Sequence, residues 1–228
     1  MEIKPVAYIY TDFTEKFGIP RQSGRAPSLT GRIVFESDYK SELAIRGIEQ
    51  FSHLWLIFGF SNADRTRPSL TVRPPRLGGN IRIGVFASRS PFRPNSLGLS
   101  VVKLEGIEHT EKDGIVLNVS GVDILNETPI YDIKPYLPYA DIKNDAVGGY
   151  GDELSTHSLN VVFPNPLLEK LPTQKRQAAL ECLQDDPRPS YHDDDRTYSM
   201  AFAGYDIHFK VQHGILTVFS VEQITDCF

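Results

Sequence analysis

The first half of the chain is a succession of short apolar runs, rich in β-branched and aromatic residues and cut by Gly, Pro, Asn and Asp. That is the pattern of strands and turns. Val6–Tyr10, directly after Pro5, predicts a first strand, and Gly31–Glu36 a second. Ser41 is placed to cap a short helical turn that runs to about Arg46. His53-Leu-Trp-Leu-Ile-Phe-Gly-Phe60 is apolar on both faces, so it should be a central strand buried on both sides or a barrel strand facing a filled interior. Ile81–Ser88, Leu97–Ile107, Gly114–Ile124 and Ile130–Tyr136 read as four more strands, and Asp113-Gly114 marks a tight antiparallel turn. About seven strands with hardly any helix predict a closed or nearly closed β-barrel.

Beyond this the grammar changes. Pro138 to Ser155 breaks into Pro-Tyr-Ala-Asp and Val-Gly-Gly-Tyr-Gly-Asp. No apolar strand precedes the glycines and no Lys-Ser/Thr follows them, so a linker is expected there and not a phosphate loop. Leu159–Phe163 then predicts a strand, Thr173–Leu183 a helix, Asp185–Tyr191 a rigid loop, and Met200–Ile224 a hairpin turning at His213-Gly214. The fold expected is mainly β: a single-sheet antiparallel β-barrel domain over residues 1–145 and a small C-terminal α+β domain over 155–228.

Composition narrows the class. With 228 residues, 40% of them hydrophobic and 11% aromatic, the chain can bury a real core, which excludes intrinsic disorder. Cys182 and Cys227 have no metal-type spacing and read as buried or stray thiols in a reducing compartment. Met1 to Pro5 lacks a basic segment followed by an apolar one, and no apolar run approaches the ~20 residues needed to span a bilayer. A soluble, cytoplasmic protein with no membrane partner is the expectation.

Charge changes the picture more. Between Arg65 and Leu104 lie seven Arg, one Lys and no Asp or Glu, a local +8 in a chain of net charge -5. Guanidinium groups bind carboxylate or phosphate bidentately, so an anionic ligand is the natural counterpart. A solvated basic loop whose arginines pair with acids elsewhere would have the same composition, but Pro74, Pro75, Pro91 and Pro94 stiffen these loops. Phe86, Phe92, Tyr131, Tyr136 and Tyr139 lie nearby in sequence, and Arg with aromatics suits stacking on bases and neutralising phosphates. Pro20 restrains Arg21 and Gln22, which can grip a polar ligand. Asp123, Asp132 and Lys134 sit among apolar residues, where they must pair or meet a polar ligand. Dinucleotide, Walker, nucleophile-elbow and metal-ligand patterns are all missing from the sequence, so no metal is expected.

Four long motifs then carry a resemblance: His53-Leu-Trp-Leu-Ile-Phe, Arg73-Pro-Pro-Arg-Leu-Gly-Gly-Asn, Gly84-Val-Phe-Ala-Ser-Arg-Ser-Pro-Phe-Arg-Pro-Asn and Thr128-Pro-Ile-Tyr-Asp-Ile-Lys-Pro-Tyr. In this order they resemble the TsaA/TrmO family, strongly from Phe17 to Asp141 and more weakly in the Asp186-Pro-Arg-Pro-Ser-Tyr loop. The resemblance implies an S-adenosylmethionine-dependent enzyme on a β-barrel, a homodimer with the cofactor near the subunit contact, which methylates N6 of threonylcarbamoyladenosine beside the anticodon of tRNA. It further implies a cofactor pocket lined by Arg21, Gln22, Phe60, Ser61, Arg89, Leu99, Val122, Asp123, Ile124 and Leu125. Arg73, Arg76, Arg93 and Asn95 are then left for tRNA.

N6 of a modified adenine is a weak nucleophile whose proton must leave, so an acceptor is expected, and Asp132 and Tyr136 are the candidates. The chain departs from the family pattern at Ser96, where Asn-Pro is usual, and at Asn126-Glu127, where Asp-Gly is common. No catalytic role is therefore given to Asn126. Two rival readings stay open: a non-catalytic RNA-binding barrel, and a methyltransferase with the same cofactor and a substrate other than tRNA.

Overall fold

The computed structural model of the protein describes residues 2–60, 69–74, 77, 80–154, 157–189 and 196–225. Alternation builds the strands. In β1 (Ala7–Thr11) Ala7 and Ile9 are buried while Tyr10 faces out, and in β2 (Thr30–Phe35) Ile33 and Phe35 turn inward. β3 (His53–Gly59) buries Leu54, Leu56 and Phe58 and leaves Trp55 and Ile57 half-buried on the other side, so it is a barrel strand facing a filled interior. With β6 (Leu97–Thr110), β7 (Gly114–Ser120) and β8 (Thr128–Pro135) these strands close into a six-stranded barrel, ordered β1-β2-β7-β6-β3-β8. Every pairing is antiparallel, and β8 closes the ring by setting Ile130 opposite Ala7 and Thr128 opposite Ile9. Ser41 caps the short α1 (Glu42–Ile45), its Oγ accepting the Leu43 N–H at 3.2 Å.

Two expectations about strands are corrected. Ile81–Ser88 is not a barrel strand: only β5 (Ile83–Gly84) pairs, with β4 (Thr71–Val72), in a separate two-stranded ribbon, and Val85–Ala87 coils into a 3-10 turn. Its composition suits a strand, but among the described residues of this ribbon only Val72 and Val85 are buried, and Ile81 and Phe86 stay exposed. The other correction is at β7, which ends at Ser120 and not at Ile124. Gly121 takes φ +71°, turning the chain out of the sheet, so residues 121–125 become a loop at one barrel mouth.

After α2 (Pro138–Asp141) come β9 (Asn160–Val162), α3 (Asn165–Leu168), α4 (Thr173–Gln184), β10 (Thr197–Phe202), β11 (Tyr205–Gln212) and β12 (Ile215–Gln223). They form a sheet ordered β10-β11-β12-β9, with β9 parallel to β12. The expected turn at His213-Gly214 is present, with both residues at positive φ as a two-residue hairpin loop requires. A second such turn at Ala203-Gly204 makes the expected hairpin a three-stranded meander that starts at Thr197. Alanine is not a turn signal, which is why the pattern hid it.

One buried apolar cluster runs from the barrel into this second sheet. Phe13 packs on Phe202 at 5.3 Å between ring centroids, and Phe17 stacks on Tyr198 and Phe209. At Gly18 (φ +94°) a Cβ would lie 2.5 Å from the Met200 side chain, so only glycine fits. Polar ties flank the cluster: Lys175 pairs with Asp12 at 2.6 Å, and Glu181 accepts both the N–H and the hydroxyl of Ser28 at 2.8 Å. Among the described residues no helix is long and apolar enough to cross a membrane.

Candidate cofactor cleft at the barrel mouth

Where β3 ends, the barrel mouth opens into a cleft of about 180 Å³. Phe58 and Gly59 line it from β3 and Phe60 from just past its end; Asp123, Ile124 and Leu125 from the β7–β8 connection and Thr128 from the start of β8; Lys16 and Ile19 from the loop after β1; and Pro91 from the Arg-rich segment. The Phe58 ring occupies the space a side chain at Gly98 would need, since a Cβ there would lie 2.2 Å from the ring. Phe60 then meets Phe58 edge-on at 5.1 Å. The wall is therefore apolar and tightly packed, with few polar groups turned into it.

Asp123 is the principal one. Its carboxylate accepts the Ser100 hydroxyl at 2.6 Å and the Ser23 N–H, and the Arg89 charge lies close enough to favour ionisation. Burial, the largest influence, outweighs these together with a bond from the Asp123 backbone and pushes the carboxyl up to about 6. Arg89 reaches across to donate to Gln22 Oε1, and the Gln22 amide nitrogen donates to the Arg21 carbonyl at 2.5 Å.

Of the residues that the resemblance assigns to the cofactor, Phe60, Asp123, Ile124 and Leu125 share this cleft, and Arg89 and Gln22 join beside it. Arg21 is adjacent, its guanidinium donating to the Arg188 carbonyl at 2.5 Å. Val122 packs instead into the barrel core against Gly31. Leu99 points out of the barrel beside Ile57 and is 57% exposed. Ser61 lies outside the described residues.

The remaining candidates are dispersed. Arg73 is exposed just after β4, and Asn95 is exposed in the loop before β6. Arg93 donates to the Ser88 and Val85 carbonyls at 2.6 and 3.3 Å and lies 6.0 Å over the Phe86 ring, so it staples its own loop. Arg76 lies outside the described residues, as does Cys227. Asp132 sits on the outer barrel wall opposite Ile57 and pairs with Lys134 at 2.9 Å. Tyr136 packs on Trp55 at 5.8 Å and on His53 at 6.2 Å. Within one chain neither Asp132 nor Tyr136 reaches the cleft.

Sequence reasoning missed Lys16, Ser23, Phe58 and Ser100. Ser100 could have been found, because a serine at an inward position of a barrel strand is a buried polar group that demands a partner. The departures from the family pattern also gain an account. Asn126 is structural: its Oδ1 accepts the Thr11 N–H at 3.0 Å while its own N–H donates to the Phe13 carbonyl. Glu127 takes φ +60° and Ser96 φ +46°, a region that suits glycine and that proline cannot reach. Among the described residues no cluster of His, Cys, Asp and Glu is gathered for a metal.

Comparison with known proteins agrees with this arrangement. The tRNA-methyltransferase O N-terminal domain matches residues 8–142, and the TrmO C-terminal domain matches residues 156–224. The tRNA (adenine(37)-N6)-methyltransferase of Escherichia coli is 36% identical over 230 residues, covering 97% of each chain. A Pseudomonas aeruginosa protein, provisionally named as the S-adenosylmethionine-dependent methyltransferase RcsF, is 40% identical over 217 residues and 91% of each chain. The crystal structure of TrmO from Pseudomonas aeruginosa superposes with a TM-score of 0.77 at 32% identity, covering 97% of this chain and 98% of that one. A barrel of six antiparallel strands, a second sheet behind it and sequence matches across both make this chain a member of the tRNA-methyltransferase O family.

Proposed function

We propose that this protein transfers a methyl group from S-adenosylmethionine to N6 of threonylcarbamoyladenosine beside the anticodon of tRNA, in the cytoplasm. The observation that carries the reading is the cleft: an apolar pocket with one carboxylate and one guanidinium close together, in a family with relatives named tRNA (adenine(37)-N6)-methyltransferase. The donor set fits the cofactor. Arg89 suits its carboxylate, Asp123 its ammonium or ribose hydroxyls, and Phe58, Phe60, Ile124 and Leu125 its apolar and ring surfaces. When bound, S-adenosylmethionine supplies an electrophilic methyl on a sulfonium. The protein's own part is to hold the donor, align the target nitrogen within about 3 to 3.5 Å and exclude water. We assign the chemistry to a domain of residues 1–145 and a supporting role to a domain of residues 155–228.

A volume of about 180 Å³ is below the ~300 Å³ at which ligand pockets usually begin, so the ligand would extend past the cleft's rim. A homodimer supplies the missing wall. Leu99 stands exposed beside Ile57 and Val101 on the outer face of β6 and β3, an apolar surface suited to a second copy. Asp132 and Tyr136 belong to the same side of the barrel, and they serve as proton acceptors only if this face abuts the partner's cleft. Asp132→Asn should then lower kcat about a hundredfold with cofactor affinity unchanged. Arg73, Arg76 and Asn95 are left to contact RNA, with Arg93 shaping their loop.

The decisive assay is methyl transfer from labelled S-adenosylmethionine to tRNA from cells with and without the threonylcarbamoyl modification. Label should enter only the modified pool. Equal labelling of both would reassign the substrate, and saturable tRNA binding without any cofactor binding would favour a non-catalytic RNA-binding barrel.

A further inference from the structure

The loop from Arg21 to Arg25 reaches the cleft through two of its members. Gln22 Oε1 accepts from Arg89, and the Ser23 N–H reaches the Asp123 carboxylate. The loop contains neither strand nor helix, so its shape depends on what grips it from outside. The barrel provides one anchor, as the Gly24 N–H donates to the Gly121 carbonyl at 2.9 Å.

The second anchor comes from the far side of α4. Asp185 Oδ2 accepts the Arg21 N–H at 3.3 Å, and Oδ1 accepts Arg25 Nε at 2.6 Å. The Arg188 carbonyl takes the Arg21 guanidinium at 2.5 Å, and Arg188 is itself clamped by Asp186 through contacts of 2.9 and 3.1 Å. The Asp185 side chain is only 5% exposed, whereas Arg25 is 28% exposed and also donates to the His157 carbonyl at 2.7 Å, so removing the Asp185 charge takes away the buried half of the grip on Arg25 and leaves that outer contact.

We propose that Asp185 is a positioning residue for the cofactor cleft: a single carboxylate from beyond α4 fixes both ends of the loop that holds Gln22 against Arg89 and Ser23 against Asp123. The proposal rests on the cleft being the S-adenosylmethionine site. The competing account is that Asp185 merely ties the second sheet to the barrel. Glu181, one turn earlier on the same helix, is a built-in control, because its two bonds to Ser28 tie the same parts together without touching residues 21–25.

The test compares Asp185→Asn and Glu181→Gln in the full chain, by calorimetric titration with S-adenosylmethionine and by hydrogen exchange at the Ser23 and Gly24 amides. Asp185→Asn should weaken cofactor binding about tenfold and speed exchange at both amides about tenfold, while Glu181→Gln changes neither by more than about twofold. Both variants should lower the melting temperature. Equal affinity losses in the two variants, or unchanged exchange in Asp185→Asn, would overturn the proposal. If Asp185→Asn does not fold, Arg25→Gln removes the other half of the pair and should loosen the same amides; unchanged exchange there counts equally against the idea. A wild type that binds no S-adenosylmethionine sinks the functional reading alone, since the exchange comparison still decides whether Asp185 holds the loop.

Discussion

The two sides of the wall formed by β6, β3 and β8 differ more than their shared strands suggest. On the inner side, the buried Ser100 donates to the partly buried Asp123 at the barrel mouth, among Phe58, Ile124 and other apolar side chains. Outside, one residue along from Ser100, Leu99 is exposed, and Asp132 meets Lys134 in partial contact with solvent. The same residue type, aspartate, is thus costly on one face and ordinary on the other. A barrel separates sequence neighbours into two environments, so candidate residues adjacent in sequence need not share a site.

The largest effect expected from this contrast is at Asp123. Its folded carboxyl is raised from 3.8 to about 6, so the folded state binds the proton more tightly than the unfolded chain does. Stability from this group is full below the unfolded value, falls as pH rises through about 6, and is lost above it; the span of roughly 2 pH units corresponds to about 3 kcal/mol. Urea denaturation from pH 4 to 7 should show that fall in the wild type, and Asp123→Asn should flatten it. A slope that survives the substitution would mean that the inner face is less isolated from water than its packing implies.

Arg89→Ala comes next. Loss of the guanidinium that we propose for the cofactor's carboxylate should cost about 1.5 to 3 kcal/mol of binding, a tenfold to hundredfold rise in Kd by titration calorimetry. Unchanged binding would move the anionic end of the ligand elsewhere.

Glu127→Gly should stabilise the fold by about 1 kcal/mol, since φ +60° strains any residue with a Cβ. A higher denaturation midpoint with unchanged slope is the expected readout. Smallest in folding free energy is Leu99→Asp, within about 0.5 kcal/mol because the outer face is already solvated in a single chain. Its effect should fall on mass instead, with light scattering showing a monomer in place of a dimer. A variant that stays dimeric would free the outer wall from the subunit contact and remove the reason for placing Asp132 near a cleft.

Much of this was legible in the linear pattern. The apolar runs read as strands at Val6–Tyr10 and Gly31–Glu36, the Asp113-Gly114 turn and the His213-Gly214 turn are local signals, and each marks, within a residue or so, what the structure contains. The Arg-rich stretch was equally visible, but as a uniform basic segment. The fold divides it: Arg93 is used on its own loop's carbonyls, Arg89 crosses to Gln22, and Arg73 remains exposed. Periodicity also gave Ile81–Ser88 the look of a strand, because alternation records which way side chains can point and not whether a partner strand is there to receive the backbone.

The sequence alone therefore determined most element types, the β-barrel class and the family, and named four residues that line the cleft, Phe60, Asp123, Ile124 and Leu125, since each is written in local periodicity, turn chemistry or long motifs. Only the tertiary structure decided which side of the wall each candidate occupies, which cations are already engaged and that Asp185, 160 residues from Arg25, grips the loop at the cleft. The physical reason is that burial and pairing depend on what the fold brings close from far along the chain. A carboxylate carries the same chemistry at Asp123, Asp132 and Asp185, and its surroundings alone make it a cleft group, a surface ion pair or an anchor.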